Sequence, residues 1–145
     1  MTTEGLISIQ AMTTRIACRW MTARQLEAVS DSIDQAARVP ARSRWERKAA
    51  AHAEIFGSLG EATGYPALAQ RAGLAAEWVN GVALAVGPAA DGMILSSRRR
   101  LLRCLRIRDA EGAGREMERQ LRGLHYMWRL AGPSPQDGPD LMRAS

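Results

Sequence analysis

Six successive segments carry apolar residues at steps of three and four, and each is bounded by a residue type that starts or stops a helix. That spacing gathers apolar side chains on one face of a 3.6-residue turn, and no run shows the strict alternation of a half-buried strand. The chain is thereby confined to an all-α fold, an antiparallel helical bundle of about six helices. The first segment, about 4–20, has Leu6, Ile9, Met12 or Thr13, Ile16 and Trp20 along one side. Thr22 with Gln25 forms a T-x-x-Q box that opens a second helix through Leu26, Val29 and Ile33, ending before Pro40. Ser43 and Glu46 make an S-x-x-E box for a third helix running to Ala62 and stopping at Gly64. Pro66 suits the first turn of a fourth, 66–86, apolar almost all round and so expected to be buried. After the loop GPAADG (87–92) a fifth helix covers about 93–108, and Asp109 caps a sixth running to about Leu130. Residues 132–145 hold prolines and glycines with little to bury and read as a disordered tail.

Composition removes several function classes. With 46% hydrophobic and 24% charged residues the 145-residue chain has the balance of one globular domain. No apolar stretch approaches the about 20 residues of a membrane span, and the start MTTEGLISIQ lacks the pattern of a signal peptide. Two cysteines, Cys18 and Cys104, cannot by themselves make a disulfide scaffold or a four-ligand zinc site, so a reduced, cytoplasmic setting is expected. Charge is the unusual feature: twenty Lys+Arg against fifteen Asp+Glu give +5, and Lys48 is the single lysine.

Three polar residues fall on stripes that should face inward. His52 shares a face with Trp45, Ala49, Phe56 and Leu59. Arg98 lies among Ile94, Leu101, Leu102 and Leu105, and Gln120 among Ala113, Met117, Leu121, Leu124 and Trp128. Burying a guanidinium takes several kcal/mol that only a counter-charge or hydrogen bonds offset, as order-of-magnitude costs of about this size show. An inward Arg accompanied by two polar neighbours on other helices therefore suggests an internal polar pocket. Each has a simpler reading: a satisfied core histidine, an arginine snorkelling outward over leucines, a glutamine at the edge of its stripe.

Two segments also resemble a known family. HAEIFGSLGEATGYPAL (52–68) is similar to the D-x-x-F-H-x-x-L-x-x-A-s-G-N-P-x-L signature of the FCD domain, the ligand-binding domain of FadR-type GntR bacterial transcription regulators. RRRLLRCLRIRDAEGAGREMERQL (98–121) resembles that domain's second motif through Leu102, Leu105, Arg108, Asp109, Glu111, Ala113, Met117 and Leu121. The likeness extends over about residues 5–131 and implies a folded unit, 4–131, in which the bundle encloses an effector cavity. It further implies a small, carboxylate-type metabolite as effector, a homodimer, and contact with operator DNA only through an N-terminal winged helix-turn-helix not found in this chain.

The departures from the family pattern are specific. Many such domains hold a divalent metal through an Asp and a His four residues apart and a His on each of the last two long helices. In register, this chain has His52, Phe56, Arg98 and Gln120 there. Phe and Arg do not ligate metals, so no metal and no cofactor are expected. The resemblance then implies that Arg98 receives the anionic group as a charge-assisted fork, with His52 and Gln120 donating hydrogen bonds and Phe56, Trp45 and Met117 lining the apolar part.

Three other classes compete. An enzyme is not expected, because neither the histidines His52 and His125 nor the cysteines fall at the spacing of a triad or metal set, and no nucleotide-binding or nucleophile-elbow motif occurs. The dense run Arg98, Arg99, Arg100, Arg103, Arg106 and Arg108 suits a basic nucleic-acid-contacting domain, with Arg99, Arg103 and Arg106 on the outer side. A structural, dimerising helical module with a decayed pocket is the third.

Overall fold

The structure is a computed structural model that describes residues 1–132. It is an all-α bundle: α1 Thr3–Trp20, α2 Ala23–Arg38, α3 Trp45–Ala62, α4 Pro66–Val86, α5 Asp91–Arg106 and α6 Ala110–Leu130, with a 3₁₀ turn over Pro88–Ala90 before α5. Among the described residues there is no strand, and no single helix is long and apolar enough to cross a membrane. The tail expected over 132–145 lies, after Gly132, outside the described residues.

Helix boundaries follow local chemistry. Thr22 Oγ1 accepts from the Gln25 amide at 3.1 Å while Gln25 Oε1 takes the Thr22 N–H at 2.8 Å, which closes the expected reciprocal box. Asp109 accepts from the Gly112 amide at 2.9 Å and starts α6. The box expected from Ser43 and Glu46 does not form. Arg44 N bonds back to Pro40 O at 3.1 Å, so Ser43 lies inside that turn, one residue too early, and Arg44 takes the cap position without a side-chain bond. α5 also begins and ends two residues ahead of expectation, because the 3₁₀ turn delivers Asp91 directly into it and Arg108 adopts φ 59°. That left-handed residue reverses the chain and is anchored by its guanidinium on Cys18 O at 3.0 Å.

α4 packs on α1, α3 and α6. Ala72, Ala75, Trp78, Val79, Val82 and Ala83 are buried there, whereas Gly73, Glu77, Leu84 and Ala85 are exposed, so α4 buries one face and not, as its composition suggests, nearly its whole surface. The α1 stripe is turned from its expected position. Met12 and Trp20 are exposed, and Ile7, Ala11, Thr14, Ala17 and Cys18 are buried together with Leu6 and Thr13. The two threonine hydroxyls donate to Ile9 O and Gln10 O, each at 2.8 Å, and so enter the core with their polar atoms satisfied.

α3 and α4 approach closely at Gly60, where a Cβ would stand 2.7 Å from Ala72 Cβ and 2.9 Å from Ala69 Cα. Gly60→Ala is expected to lower stability by about 1–2 kcal/mol in urea unfolding, the overlap outweighing the gain in helix propensity. Gly57→Ala on the same helix, with nothing within 4 Å, is expected to raise it by about 0.5–1 kcal/mol.

Candidate functional site

The three inward polar residues meet. Arg98 on α5 is 2% exposed and does not snorkel to the surface. Its Nη1 donates to His52 O on α3 at 2.7 Å, and its Nε donates to Gln120 Oε1 on α6 at 3.1 Å. The guanidinium carbon lies 5.4 Å from the centre of the Phe56 ring, a cation–π contact. Helical spacing on three separate elements thus brings His52, Phe56, Arg98 and Gln120 into one buried cluster. Trp45 stands at its margin, edge-on to the His52 ring at 6.3 Å, with its indole N–H held by Ala83 O at 2.8 Å. Met117 is fully buried on α6, one turn before Gln120.

Two charged residues complete the network. Asp91, the first residue of α5, is 3.0 Å from Lys48 Nζ and 2.9 Å from His52 Nε2. A carboxylate only accepts, so the His52 proton is on Nε2 and Nδ1 keeps its lone pair. Burial pushes His52 down to about 4, against the pull of Asp91 and helped by the positive charge of Arg98 and Lys48, so the ring is neutral at pH 7. Burial also pushes the Arg98 guanidinium down, to about 9, which leaves it charged at pH 7.

The charges of this cluster do not balance. Lys48 and Asp91 offset one another, His52 is neutral, and Arg98 is bound to a carbonyl, an amide oxygen and a ring face but to no carboxylate. Arg98 Nη2 and His52 Nδ1 are both buried without a hydrogen-bond partner among the described residues. What remains unmet is one cationic donor and one neutral acceptor.

The expected roles of two residues change accordingly. His52 is not a donor to a ligand, because its only N–H is held by Asp91 and the free nitrogen can only accept. Gln120 holds Arg98 through its oxygen and donates to Ser97 Oγ at 2.8 Å, so its first task is to orient the guanidinium. Lys48, Asp91 and Ser97 were not singled out from sequence. Lys48 lies one turn before His52 on the same face, which is the signal that identifies it. His125, on the last helix, stacks on Trp128 with ring centres 6.1 Å apart and has a structural setting.

Two concavities open elsewhere. One of 480 Å³ lies between α2 and α3, beside Arg38, Arg44 and Arg47. A larger one of 690 Å³ lies between the end of α5 and the start of α6. Among the described residues no three His, Cys, Asp or Glu side chains group so as to hold a metal ion. Compared with protein-family models, with curated proteins and with solved structures, the chain finds no match.

Proposed function

We propose that this chain is an effector-sensing and dimerisation domain of the FCD type, in which Arg98 receives the anionic group of a small carboxylate-type metabolite and ligation alters DNA binding by a domain joined to it. The observation that carries this reading is a fully buried guanidinium that has, among the described residues, no carboxylate against it and one nitrogen unbonded. A charge in that state is expensive to keep, and breaking or omitting its partner costs about 3–5 kcal/mol in comparable buried pairs. An anion supplies the missing partner as a charge-assisted bond. Phe56 on the other side of the guanidinium holds its plane, and Gln120 fixes its rotation, so the fork is oriented before a ligand arrives.

Thermal unfolding against a panel of mono-, di- and hydroxy-carboxylates tests the reading. A matching acid at about 100 times its Kd is expected to add about 2.7 kcal/mol to the folded state. Arg98→Met, close in length and uncharged, is expected to lose that response while unfolding at the same or a higher temperature than the parent, since replacing a buried charge by an apolar side chain is often neutral or stabilising.

A structural helical module is the second reading, favoured by the side chains that already surround Arg98. It predicts that no acid shifts the transition and that Arg98→Met is clearly less stable.

A further inference from the structure

We propose that the cleft between α5 and α6 binds the sugar–phosphate backbone of a nucleic-acid duplex, independently of any effector at Arg98. Arg100, Arg103 and Arg106 reach into this 690 Å³ cleft from α5, and Arg115 and Arg119 from α6, against two carboxylates. Both carboxylates are already engaged within the fold. Glu116 is buried and pairs with Arg100 and Arg119, and Asp109 caps the Gly112 amide. Arg103 and Arg115 are exposed and have no ion-pair partner among the described residues. The lining of one cleft therefore carries three of the five net positive charges of the chain.

The arrangement fits an extended polyanion better than a single anionic group. Arg99 continues the outer row of α5 one turn beyond the cleft, so Arg99, Arg103 and Arg106 extend over about 10 Å of helix at about 1.5 Å per residue. A duplex presents one phosphate charge about every 1.7 Å of its axis, so such a row meets several phosphates at once. Arginine is suited to this contact because its planar fork matches a phosphate through two bonds. No aromatic side chain lines the cleft, and its apolar part is Ile107 and Cys104, so there is nothing on which an unpaired base could stack. That favours a duplex over a single strand, and backbone contact without sequence preference.

Fluorescence anisotropy of the whole chain with two unrelated labelled duplexes of about 20 bp, from about 50 to about 200 mM salt, tests this. The chain is expected to bind both equally, with an affinity that falls steeply as salt rises. Arg103→Gln/Arg115→Gln should reduce the slope of log affinity against log salt by about 2, two phosphate contacts at about 0.9 each. Arg103→Lys/Arg115→Lys should retain most of the slope and, with unchanged circular dichroism in all variants, separates charge from folding. Arg24→Gln/Arg71→Gln, exposed arginines outside the cleft, should leave the slope unchanged. Three results overturn the proposal: no binding at the lowest salt, an equal loss of slope in the Arg24/Arg71 variant, or displacement by polyglutamate as effective as by unlabelled duplex at equal charge. The last would assign the cleft to an acidic protein segment.

Discussion

Asp91→Ala is expected to lower the stability of the folded chain by about 3–5 kcal/mol, the usual cost of removing one partner from a buried ion pair. The Lys48 side chain is 4% exposed and, among the described residues, its ammonium has Asp91 Oδ2 at 3.0 Å and beyond that only Ala37 O at 3.5 Å. Without the carboxylate the ammonium is left in a poorly solvated place without a counter-charge, which is unfavourable. His52 would at the same time lose the acceptor for its only N–H. Asp91→Asn keeps an oxygen for one of the two donors, so a smaller loss is expected. The double variant Lys48→Met/Asp91→Leu removes both charges and should recover most of the stability, since paired buried charges exchange for apolar groups at little net cost. Urea unfolding of Lys48→Met, Asp91→Leu and the double variant gives the coupling energy directly. A loss below about 1 kcal/mol for Asp91→Ala would mean that the pair behaves as a solvated surface bridge.

How far this site could be seen in advance depends on what helical period can and cannot report. Period alone selects the inward face of a helix, so it picked out His52, Arg98 and Gln120 and placed Phe56 beside them. It says nothing about which helix lies opposite, and the bonds from Arg98 to His52 O and Gln120 are tertiary facts. Asp91 escaped because GPAADG reads as a loop, whereas the 3₁₀ turn at Pro88–Ala90 makes Asp91 the first residue of α5. Lys48 was visible as the only lysine, yet a long cation near an inward face normally reaches solvent. The α1 face was misplaced toward Met12 and Trp20 because Thr14 counts as polar by composition but is satisfied by its own helix once buried, as Thr13 is. The same limit explains the cleft: the arginines of α5 form a run in sequence, and Arg115 and Arg119 join them only through the packing of α6 on α5.

The acid side of the stability curve should report on His52. In the unfolded chain this histidine takes up a proton near its ordinary value of 6.5, whereas in the folded chain burial holds it down to about 4. Between those values the unfolded state binds more protons, so stability falls as pH falls, and above 6.5 this contribution is flat. The full effect is about 3 kcal/mol, from a shift of about 2.5 units at 1.36 kcal/mol each. His52→Gln can still donate to Asp91 and does not titrate, so its stability should decline less between about pH 6.5 and about pH 4. Subtracting the two curves, measured by urea unfolding, removes the carboxylates common to both. Coincident curves would mean that His52 is solvated in the folded state. The same histidine ties the acid response to Arg98, whose positive charge is one of the causes that hold it down. An anion bound at Arg98 cancels that repulsion and raises the folded-state value of His52 toward 6.5, so binding takes up protons and tightens as the pH is lowered. A carboxylate that stabilises the chain more at about pH 5 than at about pH 7, with the difference abolished by His52→Gln, is the result expected if the guanidinium and the imidazole belong to one site.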